Sequence, residues 1–132
     1  MNSLNLHFKK KIAMSISIIS YNVNGIRAAI NKGFDEWLGQ ISPDILCLQE
    51  SKAQPDQVDF SFAEKIGYHH YWVSAEKKGY SGVVTLSKKQ PDKIVEGCGM
   101  EKYDREGRII RTDFGDWSLL NCYFPSGTSG ED

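Results

Sequence analysis

Two short apolar runs, each ending in a side-chain oxygen and separated by one helical stripe, constrain this chain more than any other feature. Ile16–Val23 (ISIISYNV) is β-branched and apolar and predicts a buried strand. Gly25 then serves as a turn. Phe34, Trp37, Leu38 and Ile41 recur at i, i+3, i+4 and i+7, the apolar stripe of an amphipathic helix. Ser42-Pro43-Asp44 ends that helix, and Ile45–Gln49 (ILCLQ) predicts a second buried strand. Strand, helix and strand in this order point to a βαβ unit with parallel strands.

Downstream the periodicity weakens. Pro55–Ile66 predicts a second helix, closed by Gly67. Tyr68–Ser74, Gly82–Ser87, Lys93–Gly97, Arg108–Phe114 and Trp117–Phe124 then predict strands, the last two joined as a hairpin at Gly115-Asp116. The chain ends in a Gly/Ser loop, Pro125–Asp132, whose Ser-Gly-Glu-Asp suits the start of a further helix. Truncation is the expected reason that no helix follows. Residues 1–13 are expected to be a disordered extension or a tag, and residues 14–132 one domain.

Charge argues against a general polyanion binder. The net charge is −1, and the lysines at 9, 10 and 11 have no acidic neighbours. Without residues 1–13 there are 13 basic against 17 acidic residues. Any nucleic-acid contact must come from a local patch. Three cysteines with no CxxC spacing disfavour a zinc site or a disulfide framework. Cys47 and Cys122 lie in apolar runs and read as buried thiols of a reducing compartment, hence a cytoplasmic setting. No apolar run reaches the length of a membrane span.

The oxygen-bearing residues carry the chemistry. Asn22, with Asn24 beside it, follows the first strand, and Glu50 follows the second. Ligands of parallel α/β sheets gather at the carboxyl ends of strands. A carboxylate beside an amide oxygen can form part of a Mg²⁺ site, because that ion takes oxygen ligands and often only one or two carboxylates. Spacing alone leaves the ordinary reading in front, in which the asparagines make turn hydrogen bonds and Glu50 is a solvated strand end. Tyr123 is a neutral donor that could reach a phosphate oxygen, or an aromatic closing a core strand. Lys77, Lys78, Gly79 and Tyr80 form a cationic, glycine-bearing loop that could approach a phosphate backbone, or a solvated tip. Arg27, Lys32 and Lys52 are further candidate phosphate contacts. His69 and His70 are adjacent, point to opposite faces of a strand, and are not a metal pair.

Taken together, SYNVNGIRA (20–28), PDILCLQESK (43–52), GYSGVVTLSK (79–88), EGRIIRTDF (106–114) and LLNCYFP (119–125) are similar in order and spacing to the exonuclease III and abasic-site endonuclease family. The resemblance covers nearly all of residues 16–130. It implies a four-layer α/β sandwich, DNase I-like, of which this chain is the N-terminal half and supplies roughly one sheet with its helices. It also implies Mg²⁺, or Mn²⁺ in its place, held by Asn22 and Glu50, with Asn24 close to the metal. Tyr123 matches the active-site tyrosine. Arg27, Lys32 and the Gly79-Tyr80 loop match positions that contact DNA.

The implied substrate is double-stranded DNA with an abasic site or a 3′ end. A Gly-Asp-x-Asn segment and an Asp-His pair, which follow the tyrosine in the family, do not occur here; Gly115-Asp116 precedes Tyr123 and reads as a turn. The fragment alone is therefore expected to be inactive, with an exposed apolar sheet face open to self-association. Two further readings remain: a non-catalytic or DNA-binding module, and a phosphoesterase for small substrates.

Overall fold

The computed structural model describes residues 15–125. The expected extension over residues 1–13 and nearly all of the closing loop lie outside the described residues. Strand β1 (Ile18–Asn22) is followed by helices α1 (Ile26–Asn31) and α2 (Phe34–Ile41), then β2 (Ile45–Gln49). β1 and β2 pair in parallel, with Ile18 opposite Ile45 and Asn22 opposite Gln49. The expected βαβ unit is present, with one helix more than the periodicity showed.

A 3₁₀ turn (Pro55–Gln57), α3 (Ser61–Lys65), β3 (His69–Val73) and β4 (Val83–Ser87) complete the first half. The first sheet runs β1-β2-β4-β3, with β4 antiparallel to both neighbours. β5 (Lys93–Glu96), α4 (Glu101–Asp104), β6 (Ile109–Phe114) and β7 (Trp117–Cys122) follow, and the second sheet runs β5-β6-β7. β6 and β7 form the expected hairpin, Phe114 facing Trp117 across Gly115-Asp116.

β2 shows why the layers stack as they do. All but the last of its residues are buried, which is the signature of a central strand covered on both faces. Leu46 and Leu48 point to the helices and meet Ile26, Phe34, Leu38, Phe60 and Ala63. Fully burying each such leucine is worth roughly 2 kcal/mol. Ile45 and Cys47 point the other way, against Phe114, Trp117 and Leu119 of the second sheet. Val73, Val83 and Ile110 close the same layer beside Tyr71 and Tyr123. The described residues thus hold three layers, helices on a sheet on a sheet.

Several expectations need correction. In place of roughly one sheet, the strands divide into two that face each other, because Ile110 and Phe114 of β6 and Trp117 and Leu119 of β7 turn their apolar side chains to the first sheet. The inter-sheet face expected to be bare is therefore largely covered. What stays open is the β1 edge, where Ile18 is 46% exposed, and the outward side of β7, where Leu120 is 60% exposed. Pro55–Ile66 is broken into a 3₁₀ turn and a short helix, with Asp59 accepting from the Ser61 backbone at 2.9 Å between them. The α2 stripe is covered through Phe34 and Leu38, while Ile41 in the last turn is 51% exposed.

Burial also sets the thiol chemistry. Cys98 is exposed, whereas the buried Cys47 thiol is pushed up to about 11 from 9.0 by its desolvation, with Cys122 adding to the shift. Folding therefore favours the protonated thiol, a contribution intact below pH 9 and lost as pH rises toward 11. Native protein treated with an aromatic disulfide reagent near pH 8 should label at Cys98 and spare Cys47. The alkaline fall in urea stability should be shallower in Cys47→Ala. Equal labelling of the two thiols would contradict the packing of β2.

Candidate active site

The carboxyl ends of β1 and β2 lie side by side, and the chain leaves both in left-handed turns. Asn24, Glu50 and Lys52 have φ of 48°, 54° and 52°, and Ser81 on the neighbouring loop has 50°. Such conformations cost non-glycine residues roughly 1 kcal/mol or more each and persist only where the surroundings hold them. Here the backbone does so: Gly25 N donates to Glu50 O at 2.7 Å, Ile26 N to Ser51 O at 2.9 Å, and Lys52 N to Ser81 O at 2.8 Å. At Gly82, a Cβ would stand 2.2 Å from Ser51 Oγ, so the two loops touch through a glycine.

Glu50 is brought to the second sheet. The Tyr123 hydroxyl, one residue past β7, donates to Glu50 Oε1 at 2.5 Å. That bond, followed by burial and the Glu50 charge, raises the phenol's pKa; the Arg108 cation opposes the shift. Tyr123 is consequently a protonated donor at neutral pH. The other carboxylate oxygen has Lys52 Nζ at 3.9 Å, and the same ammonium donates to Asn24 Oδ1 at 2.6 Å. Asn22 stands opposite Gln49 in register, and its Oδ1 accepts from Asn24 N at 3.0 Å. The turn hydrogen bond that the ordinary reading demanded of Asn22 is therefore made. It uses one lone pair of an exposed amide oxygen and leaves the other free.

Of the sequence-predicted residues, Asn22, Asn24, Glu50, Lys52 and Tyr123 come together. Tyr80 joins them indirectly, through Arg108. Arg27, Lys32, Lys78 and Gly79 are exposed. Arg27, Lys32 and Lys78 make no side-chain hydrogen bond or ion pair among the described residues. Lys32 and Asn24 line one groove with Tyr21, Phe34 and Trp37. His70 is structural, within 3.1 Å of Glu64 Oε1 and accepting from Trp72 Nε1 at 2.9 Å.

Two residues escaped sequence reasoning. Asn121, 2% exposed, reaches from β7 to the first sheet: its Nδ2 donates to Val84 O at 2.9 Å and Leu48 O at 3.3 Å, and its Oδ1 accepts from Gln49 Nε2 at 2.9 Å. A lone amide at an inward position of an apolar strand was the available signal. Arg108 is 8% exposed and lies between the Tyr80 and Tyr123 rings.

The donor set suits a hard cation. Glu50 offers a carboxylate oxygen, and Asn22 and Asn24 offer amide oxygens, the ligand type that Mg²⁺ takes while keeping waters. Among the described residues no three His, Cys, Asp or Glu side chains cluster as a metal site. Glu50 is the carboxylate that the described strand ends bring beside Asn22 and Asn24.

Residues 19–129 match the model of the Endonuclease/Exonuclease/phosphatase family. The chain belongs to this family. A DNA-(apurinic or apyrimidinic site) endonuclease of Dictyostelium discoideum is 38% identical over 127 residues, 96% of this chain and 35% of that protein. An exodeoxyribonuclease of Bacillus subtilis is 41% identical over 116 residues, 87% of this chain and 45% of that protein. An AP endonuclease structure from Archaeoglobus fulgidus superposes with a TM-score of 0.72 at 32% identity, covering 84% of this chain and 42% of that one. A Neisseria 3′ phosphatase bound to a product DNA hairpin gives 0.71 at 27% identity, covering 83% and 41%. The chain spans less than half the length of these family members.

The bracing beneath the site can be tested at Gly107, whose φ is 64° and where a Cβ would stand 2.5 Å from the Ala75 backbone nitrogen. Gly107→Ala should cost about 3 kcal/mol of stability, from overpacking added to left-handed strain. Gly79, also left-handed but with open space around it, should cost only about 1 kcal/mol on the same change. Urea unfolding of the two variants checks the difference; equal losses would contradict the close approach at Gly107.

Proposed function

We propose that this chain carries one part of the active site of a Mg²⁺-dependent DNA phosphodiesterase, acting at abasic sites and at 3′ ends. The observation that carries the reading is the Tyr123–Glu50 contact, which joins the two sheets at the strand ends where Asn22 also lies. Glu50, with Asn22 and Asn24, would hold the metal. When bound, the metal supplies Lewis-acid polarisation of the scissile phosphate, and Mn²⁺ can take its place.

On substrate binding the Tyr123 hydroxyl would turn its one proton from Glu50 to a phosphoryl oxygen as charge grows there. The donor is already aimed into the site and remains protonated at neutral pH. Lys52 balances the carboxylate and holds Asn24. Arg27, Lys32, Lys78 and the Gly79-Tyr80 tip line the rim as exposed groups able to track a duplex backbone. The exposed aromatic tip favours a long polyanionic substrate over a small phosphoester. Three free thiols suit a reducing, cytoplasmic setting.

The Gly-Asp-x-Asn and Asp-His segments that the family resemblance leads one to expect after the tyrosine do not occur in this sequence, so the chain alone is proposed to be inert. General acid–base groups are worth about 10²–10⁴-fold each. A second reading, a self-associating module, draws on exposed Ile18 and Leu120 and predicts dimers by light scattering.

The test is nicking of a duplex with one abasic site, by the chain alone and by the chain fused to the C-terminal segment of the Bacillus subtilis relative. The fusion should nick with Mg²⁺ and stop with EDTA. In the fusion, Tyr123→Phe should lower turnover by about 10²–10³-fold while leaving binding nearly unchanged. Lys78→Ala should weaken binding and reduce its salt slope by about one. Glu50→Gln should raise the Mg²⁺ requirement. Full turnover in Tyr123→Phe would sink the role given to that hydroxyl. Turnover by the chain alone that Glu50→Gln abolishes would refute its inertness.

A further inference from the structure

Arg108 is bound to Tyr123 twice. Its carbonyl accepts from Tyr123 N at 2.8 Å, one step beyond the last regular β6–β7 pair, Ile109 with Cys122. Its guanidinium carbon also lies 5.3 Å from the centre of the Tyr123 ring, and 5.8 Å from that of Tyr80. The plane is held by Nε donating to Glu106 Oε2 at 2.6 Å and by Nη2 donating to the Tyr80 hydroxyl at 3.1 Å. Nη1 is buried with no hydrogen-bond partner among the described residues.

A buried cation with an orphan donor is costly. A purely structural arginine paired with Glu106 would not need two aromatic faces as well. Both faces belong to residues of the site. Tyr80 is 41% exposed on a loop whose residues 76–80 are all exposed, and its hydroxyl has no other hydrogen bond among the described residues. Beneath it the backbone is braced by Gly82 N and Ser81 Oγ donating to Gly107 O at 3.0 and 3.3 Å. Only a planar guanidinium can lie against two rings and still present its edges to Glu106 and to a hydroxyl; an ammonium is a point charge.

We propose that Arg108 is a positioning residue: clasped between the two rings, it sets the Tyr123 hydroxyl on Glu50 and ties the Tyr80 loop to it, so that backbone contact at Tyr80 and phosphate contact at Tyr123 occur as one event. The inference rests on the reading of Tyr123 and Tyr80 as DNA-facing groups. It makes Arg108 a residue that acts through others, since its side chain is buried and its Nε and Nη2 are engaged by Glu106 and Tyr80.

The experiment uses the chain labelled with ¹³C at tyrosine Cζ, followed by NMR with and without a short abasic duplex. In Arg108→Met the signals of Tyr80 and Tyr123 should both move, while those of Tyr21, Tyr68 and Tyr103 hold. Duplex affinity should fall about fivefold, the scale of one cation–π contact to a partly exposed ring. Arg108→Lys keeps the charge and should not restore the two ring signals. Unmoved rings, movement of Tyr80 without Tyr123, or full rescue by lysine would overturn the clasp. Should Arg108→Met fail to fold, Tyr80→Ala on the exposed loop serves instead: it should shift the Tyr123 signal, and an unshifted signal overturns the proposal. A wild-type chain that ignores the duplex would count against the nuclease reading alone, because the ring signals in free protein still decide the clasp.

Discussion

The amide of Asn121 fixes how one sheet sits on the other, and the site depends on that register. Side chains alternate along a strand, so Asn121 and Tyr123 must share a face. With Asn121 bonded to Leu48 O, Val84 O and Gln49 Nε2, the chain end of β7 is held across β2 and β4. Tyr123, two residues on, then reaches Glu50. A slip of one residue would turn Leu120 and Cys122 inward and point Tyr123 at solvent. A buried amide is expensive unless satisfied. Here it is satisfied only in one register, which is how a polar residue comes to specify the packing of an otherwise apolar layer.

Around that fixed point the loops are strained rather than relaxed. Asn24, Glu50, Lys52 and Ser81 all adopt left-handed backbone conformations, and all four lie on the loops that meet beside the Tyr123–Glu50 contact. The hydrogen bonds from Gly25 and Ile26 to the Glu50–Ser51 carbonyls, and the close approach of Gly82 to Ser51, hold the turns in place. Stability given up at the strand ends is returned by the two apolar layers below. This division, a rigid sandwich carrying a strained rim, is suited to presenting a carboxylate, two amides and a phenol to one ligand without waiting for the ligand to assemble them.

Much of the first half was legible in the sequence. β2 is a continuous apolar run and α2 carries an apolar stripe, and the parallel pairing of β1 with β2 follows from a helix lying between them. The short helices α1 and α4, of six and four residues, are too brief to show a stripe. Pro55–Ile66 read as one helix because two short pieces share one apolar pattern. That the strands would form two sheets was not readable, since alternation states which residues face inward and not which strands they meet. Asn22, Glu50 and Tyr123 could be named from strand ends and from family likeness. Arg108 could not, because its partners, Tyr80 and Tyr123, are brought to it only by the fold.

Membership of the endonuclease/exonuclease/phosphatase family and the Tyr123–Glu50 contact carry the proposal that Glu50 binds a divalent ion. Paramagnetic broadening by Mn²⁺ tests it most directly, because the effect falls steeply with distance from the ion. In protein with ¹³C-labelled tyrosines, substoichiometric Mn²⁺ should erase the Tyr123 signal, spare Tyr68 and Tyr103, and have no such effect in Glu50→Gln. Broadening that spares Tyr123, or that persists unchanged in Glu50→Gln, would place the ion elsewhere and contradict the site.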